Sequence, residues 1–357
     1  MAGPPHPAIL SVGRALPPHA VDQETLTAAL QGYWEGRHFN AGRLVELHRN
    51  AGVGTRHLAL PLAEYPALQG LERSNAAYMR VAAEVGEEAV RRALDGAGLS
   101  PSDVDQLWFV TVTGIATPSL DAHLANRLRL KSSVRRTPIF GLGCLAGAAG
   151  VARAADLLRA FPDEIAVMLS VELCSLTLQR EDVSVANVVA TGLFGDGAAA
   201  VVLAGGRRAD GAHGPRVLAT RSVLYPDTEW VMGWEVVDSG FKVLLSAKVP
   251  EVIEARVGAD VDAFLAAHGL ARGDVRHWVA HTGGPKVIDA FRDGLGLPEA
   301  AVARSRRSLR EVGNLSSASV LFVLGDLLDA AEARPGDVGL LAAMGPGFSA
   351  ELVLLRW

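Results

Sequence analysis

Apolar positions recur every three to four residues through 75–97, with Val81, Val85, Ala89, Val90 and Leu94 on one face. That period predicts an amphipathic helix. Gly98-Leu99-Ser100-Pro101 stops it. Polar Asp103 and Asp105 then precede the apolar run 107–112, which has the length of a strand. A similar succession returns later. Residues 261–268 read as a helix, Gly269-Leu270 ends it, and Asp274-Val275 precedes a strand at Trp278-Val279-Ala280. Between the two lies Pro138-Ile139-Phe140, then Gly141-Leu142-Gly143-Cys144, then helical 151–160: strand, glycine turn, cysteine, helix. The longest apolar stretch, 183–206, carries Asp196 between Gly195 and Gly197. A charge and a glycine turn are costly in lipid, so two buried elements joined by a turn are expected and no membrane span.

The returning pattern is an internal repeat. Gly98-Leu99 with Asp103-Val104 matches Gly269-Leu270 with Asp274-Val275 at an offset of 171. Gly143-Cys144-Leu145 with Asp156-Leu157-Leu158 matches Gly313-Asn314-Leu315 with Asp326-Leu327-Leu328 at an offset of 170. Gly195-Asp196-Gly197 and Gly345-Pro346-Gly347 are both glycine turns leading into strands. A repeat this long predicts two related α/β halves, residues 1–208 and 215–357, divided at the polar, glycine-rich 205–215. Cys144 and Asn314 occupy equivalent helix starts, which places them together at a shared site near a pseudo-twofold axis.

Composition narrows the chemistry. Of 357 residues 49% are hydrophobic, ample for a large core, and the net charge of −5 comes without a basic block, so no nucleic-acid partner is expected. Two cysteines make neither a disulfide framework nor a zinc site, and no paired histidines suggest another metal. The N-terminal Met-Ala-Gly-Pro-Pro-His-Pro lacks a basic region followed by an apolar one, so a soluble cytoplasmic protein is expected.

Three residues then stand out. A thiol at Cys144 would meet unpaired N–H groups and the positive end of a helix, both favouring thiolate; a small buried residue at a packed junction fits the same position. His281 follows a buried strand in Ala280-His281-Thr282-Gly283-Gly284-Pro285-Lys286, as a site residue or a structural histidine. Asn314 precedes a helical run, as a donor or an N-cap. A cysteine, a histidine and a neutral amide, each beside glycines, suit nucleophilic acyl chemistry.

These segments carry a resemblance. Gly143-Cys144, Ala280-His281 with Gly283-Gly284-Pro285, and Gly313-Asn314-Leu315-Ser316-Ser317-Ala318 are similar to the three catalytic segments of type III polyketide synthases, the chalcone synthase-like family. Leu193-Phe194-Gly195-Asp196-Gly197-Ala198 and Gly345-Pro346-Gly347-Phe348 match two further signatures, in order, over nearly the whole chain. The resemblance implies a thiolase-like, duplicated, five-layered αβαβα fold and a homodimer. It implies that Cys144 carries the acyl chain, that His281 keeps it as thiolate, and that His281 and Asn314 stabilise the enolate formed when malonyl-CoA loses CO₂. Phe194 would be the gate between a coenzyme A tunnel and the cavity. Val112, Cys174, Thr177, Val243 and Trp234 fall at cavity positions. Arg49, Arg56, Lys286, Gly283 and Gly284 are the candidates for holding coenzyme A, and Thr117-Pro118 aligns with a loop reaching across the dimer. No cofactor is implied beyond the acyl-CoA and malonyl-CoA substrates.

Val243 stands where plant members carry a second gating phenylalanine. The smaller side chain suggests room for a fatty acyl starter and an alkylpyrone or alkylresorcinol product, unless bulky Trp234 cancels the gain. A different aromatic product such as tetrahydroxynaphthalene is the alternative. A ketoacyl-carrier-protein synthase III shares the Cys-His-Asn set but follows its histidine with Gln-Ala-Asn, where this chain has Thr282-Gly283-Gly284. A silent acyl-CoA-binding protein is the non-enzymatic alternative.

Overall fold

A computed structural model of the chain describes residues 6–35 and 40–357, so most of the N-terminal heptapeptide lies outside the described residues. The first half runs β1 (Ala8–Ala15), β2 (His19–Asp22), α1 (Gln23–Trp34), α2 (Ala41–Asn50), β3 (Thr55–Leu58), α3 (Gly70–Gly96), β4 (Gln106–Thr111), α4 (Leu120–Arg127), β5 (Arg135–Phe140), α5 (Ala146–Ala160), β6 (Ile165–Leu173), α6 (Val185–Leu193) and β7 (Asp196–Ala204). The second runs β8 (Arg216–Leu224), β9 (Met232–Val237), β10 (Gly240–Leu245), α7 (Val249–Ala266), β11 (Val275–Ala280), α8 (Pro285–Leu295), α9 (Glu299–Val312), α10 (Ser319–Ala330), β12 (Val338–Gly345) and β13 (Ser349–Arg356).

Nine strands form one mixed sheet in the order β11-β12-β13-β8-β1-β7-β6-β4-β5. The repeat is visible in it: β4 and β11 are parallel to β6 and β12, and these are antiparallel to β7 and β13. The halves meet edge to edge at β1 and β8 through one register pair, Ala8 with Arg216. The predicted boundary at 205–215 runs as turns between β7 and β8, and the sheet crosses it.

Three apolar layers fill the spaces. α3 covers β1, β6 and β7 with Val81, Val85, Val90 and Leu94. On the far side α7 and α8 pack Val257, Val261, Ile288 and Phe291 around Trp278 and Leu340. Between the halves lie α5 and α10, against Met168 and Val201 from one side and Leu341 and Val353 from the other. The result is the expected five-layered αβαβα arrangement. Helices buried on all sides need apolar or small residues all round, as Ala146-Gly147-Ala148-Ala149 and Val320-Leu321-Phe322-Val323-Leu324 supply.

Two predicted helices begin earlier than their periodicity suggests. The helix expected from 261 starts at Val249, because Glu251, Glu254 and Arg256 on its outer face mask buried Ile253 and Val257. The helix expected from 151 starts at Ala146, its first turns disguised by Gly147 and Gly150. Those glycines serve close approach rather than a break. A Cβ on Gly147 would stand 2.1 Å from the Ser317 carbonyl oxygen, and one on Gly150 2.7 Å from the Met168 methyl. Gly147→Ala is therefore expected to destabilise the fold by about 1–3 kcal/mol, the usual cost of overpacking a closed core. Urea denaturation measures it, and an unchanged midpoint would show that the central layer yields.

Candidate active site

Cys144 sits in a tight turn, Gly143–Leu145, that runs straight into α5. Gly143 has φ 53°, and a Cβ there would lie 2.4 Å from the Pro346 ring, so glycine is needed twice over. In the second half a turn at Ser316–Ala318 leads into α10. The repeat pairs Cys144 with Asn314; the contact made is to the turn just beyond Asn314, with Cys144 Sγ 3.6 Å from Ser316 Oγ. The Ser316 N–H donates to Asn314 Oδ1 at 2.8 Å, and Ser319 Oγ donates to the same oxygen at 3.2 Å. Asn314 is thus a turn residue two positions ahead of Ser316, not the N-cap of α10. With its oxygen occupied, the amide presents Nδ2, its donor end, to whatever occupies the site.

His281 follows β11 directly, its N–H bonded to the Ala342 carbonyl at 3.0 Å. The next turn reaches the same neighbourhood, because a Cβ on Gly284 would touch Leu193, whose carbonyl accepts from the Asn314 N–H at 2.9 Å. The His281 ring is buried, and among the described residues its Nδ1 has no hydrogen-bond partner. Burial lowers its pKa to about 4. Burial also pushes the Cys144 thiol up to about 11, and the nearby Glu172 carboxylate adds to that rise against the Ser316 contact. Burial thus works against the expected thiolate–imidazolium pair, favouring the neutral form of each group.

Glu172, beside the candidate site, is a buried acid that sequence reasoning missed. It is fully buried at the end of β6, where it accepts from Ser317 Oγ, the Val112 N–H (3.1 Å) and Thr113 Oγ1 (2.8 Å). A single acid in the run Ile165–Leu173, apolar but for Ser170, was the available signal. Burial pushes it up to about 7 against those donors.

Phe194, Cys174, Thr177, Val243 and Trp234 come together around a cavity of about 130 Å³. Val243 and Trp234 are register partners across the β9–β10 hairpin. The room left by the smaller residue is thus faced by the indole. Leu26, Leu30, Leu58 and Leu62 carry the apolar lining away from the hairpin. Phe194 links this space to the turn carrying Asn314: it lines the cavity, while its backbone forms an isolated parallel bridge with Asn314.

Two expected residues are placed otherwise. Val112 is buried outside the cavity wall, engaged through its N–H with Glu172. Arg56, a candidate for coenzyme A, is fully buried, and its guanidinium is committed to the carbonyls of Thr191, Gly192 and Phe194. A phosphate in solvent cannot reach it. Arg49 and Lys286 are exposed at facing ends of α2 and α8, which touch where Gly52 meets Pro285. Gly284 has φ 126° at the start of α8, next to Gly283. Thr117 and Pro118, joined by a cis peptide bond, are exposed. Among the described residues no three His, Cys, Asp or Glu side chains cluster as a metal site, and no helix is long and apolar enough to cross a membrane.

Because a charge on Glu172 opposes one on Cys144, Glu172→Gln should ease thiol ionisation above pH 7, where the native carboxyl is charged. Iodoacetamide should alkylate Cys144 faster in the variant at pH 8.5, with the difference gone below pH 6. A rate equal to or slower than wild type at pH 8.5 would refute the coupling. The sign for stability is the same: the raised carboxyl favours folding fully below its ordinary 4.5 and stops doing so as pH passes 7.

Comparison with known proteins supplies the context. The chalcone and stilbene synthase family models match residues 3–207 (N-terminal domain) and 217–357 (C-terminal domain). The 1,3,6,8-tetrahydroxynaphthalene synthase of Streptomyces peucetius subsp. caesius is 51% identical over 353 residues, 98% of this chain and 93% of that protein. The solved 1,3,6,8-tetrahydroxynaphthalene synthase of Streptomyces coelicolor A3(2), described as a bacterial type III polyketide synthase, superposes with a TM-score of 0.92 at 33% identity, covering 98% of this chain and 99% of that one. The polyketide synthase PKS-I of the brown alga Ectocarpus siliculosus gives 0.92 at 29% identity, with 99% of both chains covered. With its paired catalytic turns, five layers and full-length matches, this chain belongs to the chalcone and stilbene synthase family and is a type III polyketide synthase.

Proposed function

We propose that the protein builds an aromatic polyketide from malonyl-CoA alone, as the name of its 51%-identical relative suggests: 1,3,6,8-tetrahydroxynaphthalene. The observation that supports this over a fatty acyl starter is the cavity. Trp234 faces Val243 across the hairpin, so the volume gained by losing a phenylalanine is filled again, and about 130 Å³ remains. Tetrahydroxynaphthalene has ten ring carbons, which is five two-carbon units, and it needs no starter other than malonyl-CoA. The leucine-lined side of the cavity favours the second reading, an alkyl chain that leads to an alkylpyrone or alkylresorcinol.

In either case the chemistry is the same. Cys144 Sγ loses its proton to His281 as substrate enters, attacks the acyl-CoA carbonyl and expels the coenzyme A thiolate. Asn314 Nδ2 and the His281 ring donate to the thioester oxygen of malonyl-CoA, so breaking the carbon–carbon bond to the carboxylate releases CO₂ and leaves an enolate whose charge rests on that oxygen. Each such donor typically contributes about 3 kcal/mol to the barrier. The enolate carbon attacks the Cys144 thioester, the Cys144 sulfur leaves, and the chain, two carbons longer, stays on coenzyme A until it reloads. Phe194 presents an apolar face to the departing carboxylate, which disfavours the charge and favours neutral CO₂. Arg49 and Lys286 suit the coenzyme A phosphates, and the exposed Thr117-Pro118 loop suits a homodimer contact. No resident cofactor or metal is needed, and no carrier protein; the cytoplasm holds both substrates.

Purified protein incubated with malonyl-CoA alone should release tetrahydroxynaphthalene, identified by mass and ultraviolet spectrum. Cys144→Ala should abolish product while CO₂ release persists, and Asn314→Ala should lower CO₂ release by about a hundredfold, the loss typical of one oxyanion donor. Product appearing only when long acyl-CoAs are added would establish the alkyl reading instead.

A further inference from the structure

Arg56 borders the cavity but has no chemical part in the roles above, and a fully buried guanidinium, here with its Nε unpartnered among the described residues, is among the costliest side chains a fold can hold. It lies on β3, and its fork is aimed at the C-terminal end of α6. Nη1 donates to the Thr191 carbonyl at 3.0 Å and the Phe194 carbonyl at 2.6 Å; Nη2 donates to the Gly192 carbonyl at 2.7 Å and to Gln23 Oε1. Gln23 in turn donates to the same Gly192 carbonyl at 2.9 Å and to the His48 carbonyl at 2.8 Å. The last carbonyls of a helix lack intrahelical partners and carry its negative end, so a cation is favoured there. A planar guanidinium can satisfy several at fixed angles, which an ammonium cannot.

Immediately beyond those carbonyls the chain enters the active site. Leu193 accepts from the Asn314 N–H at 2.9 Å, and Gly195 donates to the Asn314 carbonyl at 3.0 Å. Two glycines allow this approach: a Cβ on Gly195 would stand 2.4 Å from the Val312 carbonyl oxygen, and Gly313 has φ 76° with Leu193 O 3.1 Å from its would-be Cβ. The same β-strand region holds the other partner. The Gly54 N–H donates to the Arg310 carbonyl at 2.8 Å and Thr55 Oγ1 to the Glu311 carbonyl at 2.6 Å, at the end of α9 just before Asn314. Residues 54–56 therefore grip both helix ends that lead into Phe194 and Asn314.

We propose that Arg56 is a positioning residue for decarboxylation: by clamping the end of α6 it sets the backbone bridge that aims Asn314 and holds Phe194 against the cavity. The proposal rests on the roles assigned to Asn314 and Phe194 above. Loosening the clamp leaves Cys144, carried on the opposite turn, unmoved. A shift of Asn314 by a fraction of an ångström costs enolate stabilisation without blocking substrate entry.

Full-length Arg56→Lys, Arg56→Gln, Gln23→Leu and Asn314→Ala test this with two readouts: CO₂ release from malonyl-CoA across concentrations, and alkylation of Cys144 by iodoacetamide. For Arg56→Lys we expect kcat for CO₂ release to fall about tenfold or more with KM nearly constant, the scale of a misplaced catalytic group, while Cys144 alkylation keeps its wild-type rate. Arg56→Gln should lose more than Arg56→Lys. Should Arg56→Gln not fold, Gln23→Leu reads the same clamp from its other side and should show a smaller loss of the same pattern. A folded Arg56→Lys and Gln23→Leu that both release CO₂ at the wild-type rate would overturn the proposal, as would a fall in CO₂ release matched by an equal fall in alkylation, which marks a merely structural role. If Asn314→Ala itself keeps full CO₂ release, the assignment of Asn314 fails and the positioning role falls with it. If Asn314→Ala loses it while Arg56→Lys does not, only the positioning role falls.

Discussion

The site depends on how closely two short backbone segments from opposite halves can approach. Residues 193–195 and 313–315 exchange hydrogen bonds directly, and the turn carrying Cys144 closes on the turn just after Asn314. A Cβ would clash with neighbouring atoms at Gly143, Gly147 and Gly195, and Gly313 holds a positive φ, which is why glycines stand at this junction. The surrounding layers of apolar residues hold the halves together, but the glycines decide the distance at which they are held.

Burial sets the electrostatics of this junction. Cys144, Glu172, Asp196 and His281 all lie where desolvation is the strongest influence on them, and each is driven toward its neutral form. The positive charge of Arg56 persists by directing its donors at four acceptors, with the Asp196 charge nearby in its favour.

The sequence disclosed the fold because the duplication writes each element twice: a glycine stop, an acidic turn and a strand recur at the same spacing. Cys144, His281 and Asn314 stand out in it because reactive residues beside glycines at element ends are unusual. It misplaced Arg56, because an arginine in a short polar stretch, Gly52-Val53-Gly54-Thr55-Arg56-His57, looks exposed, and nothing local shows that the strand turns its side chain toward the end of α6. Glu172 escapes notice for the opposite reason, since a strand so rich in apolar residues draws the eye to those alone. The tension between Val243 and Trp234 is visible in the chain, but only their register across the hairpin shows that one faces the other.

The single register pair joining β1 to β8 has a consequence for how the protein comes into being. Apart from that pair, the strands of the first half pair within residues 8–204, and those of the second within 216–356. Synthesised from its N-terminus, the chain can complete the first half's sheet while the second is still unmade, as such units generally do. Until α10 emerges, the apolar flank of α5 has no cover and Cys144 has no partner turn. A nascent chain halted at mid-length would hold a finished fold around an unfinished reaction centre, with its stickiest surface turned outward.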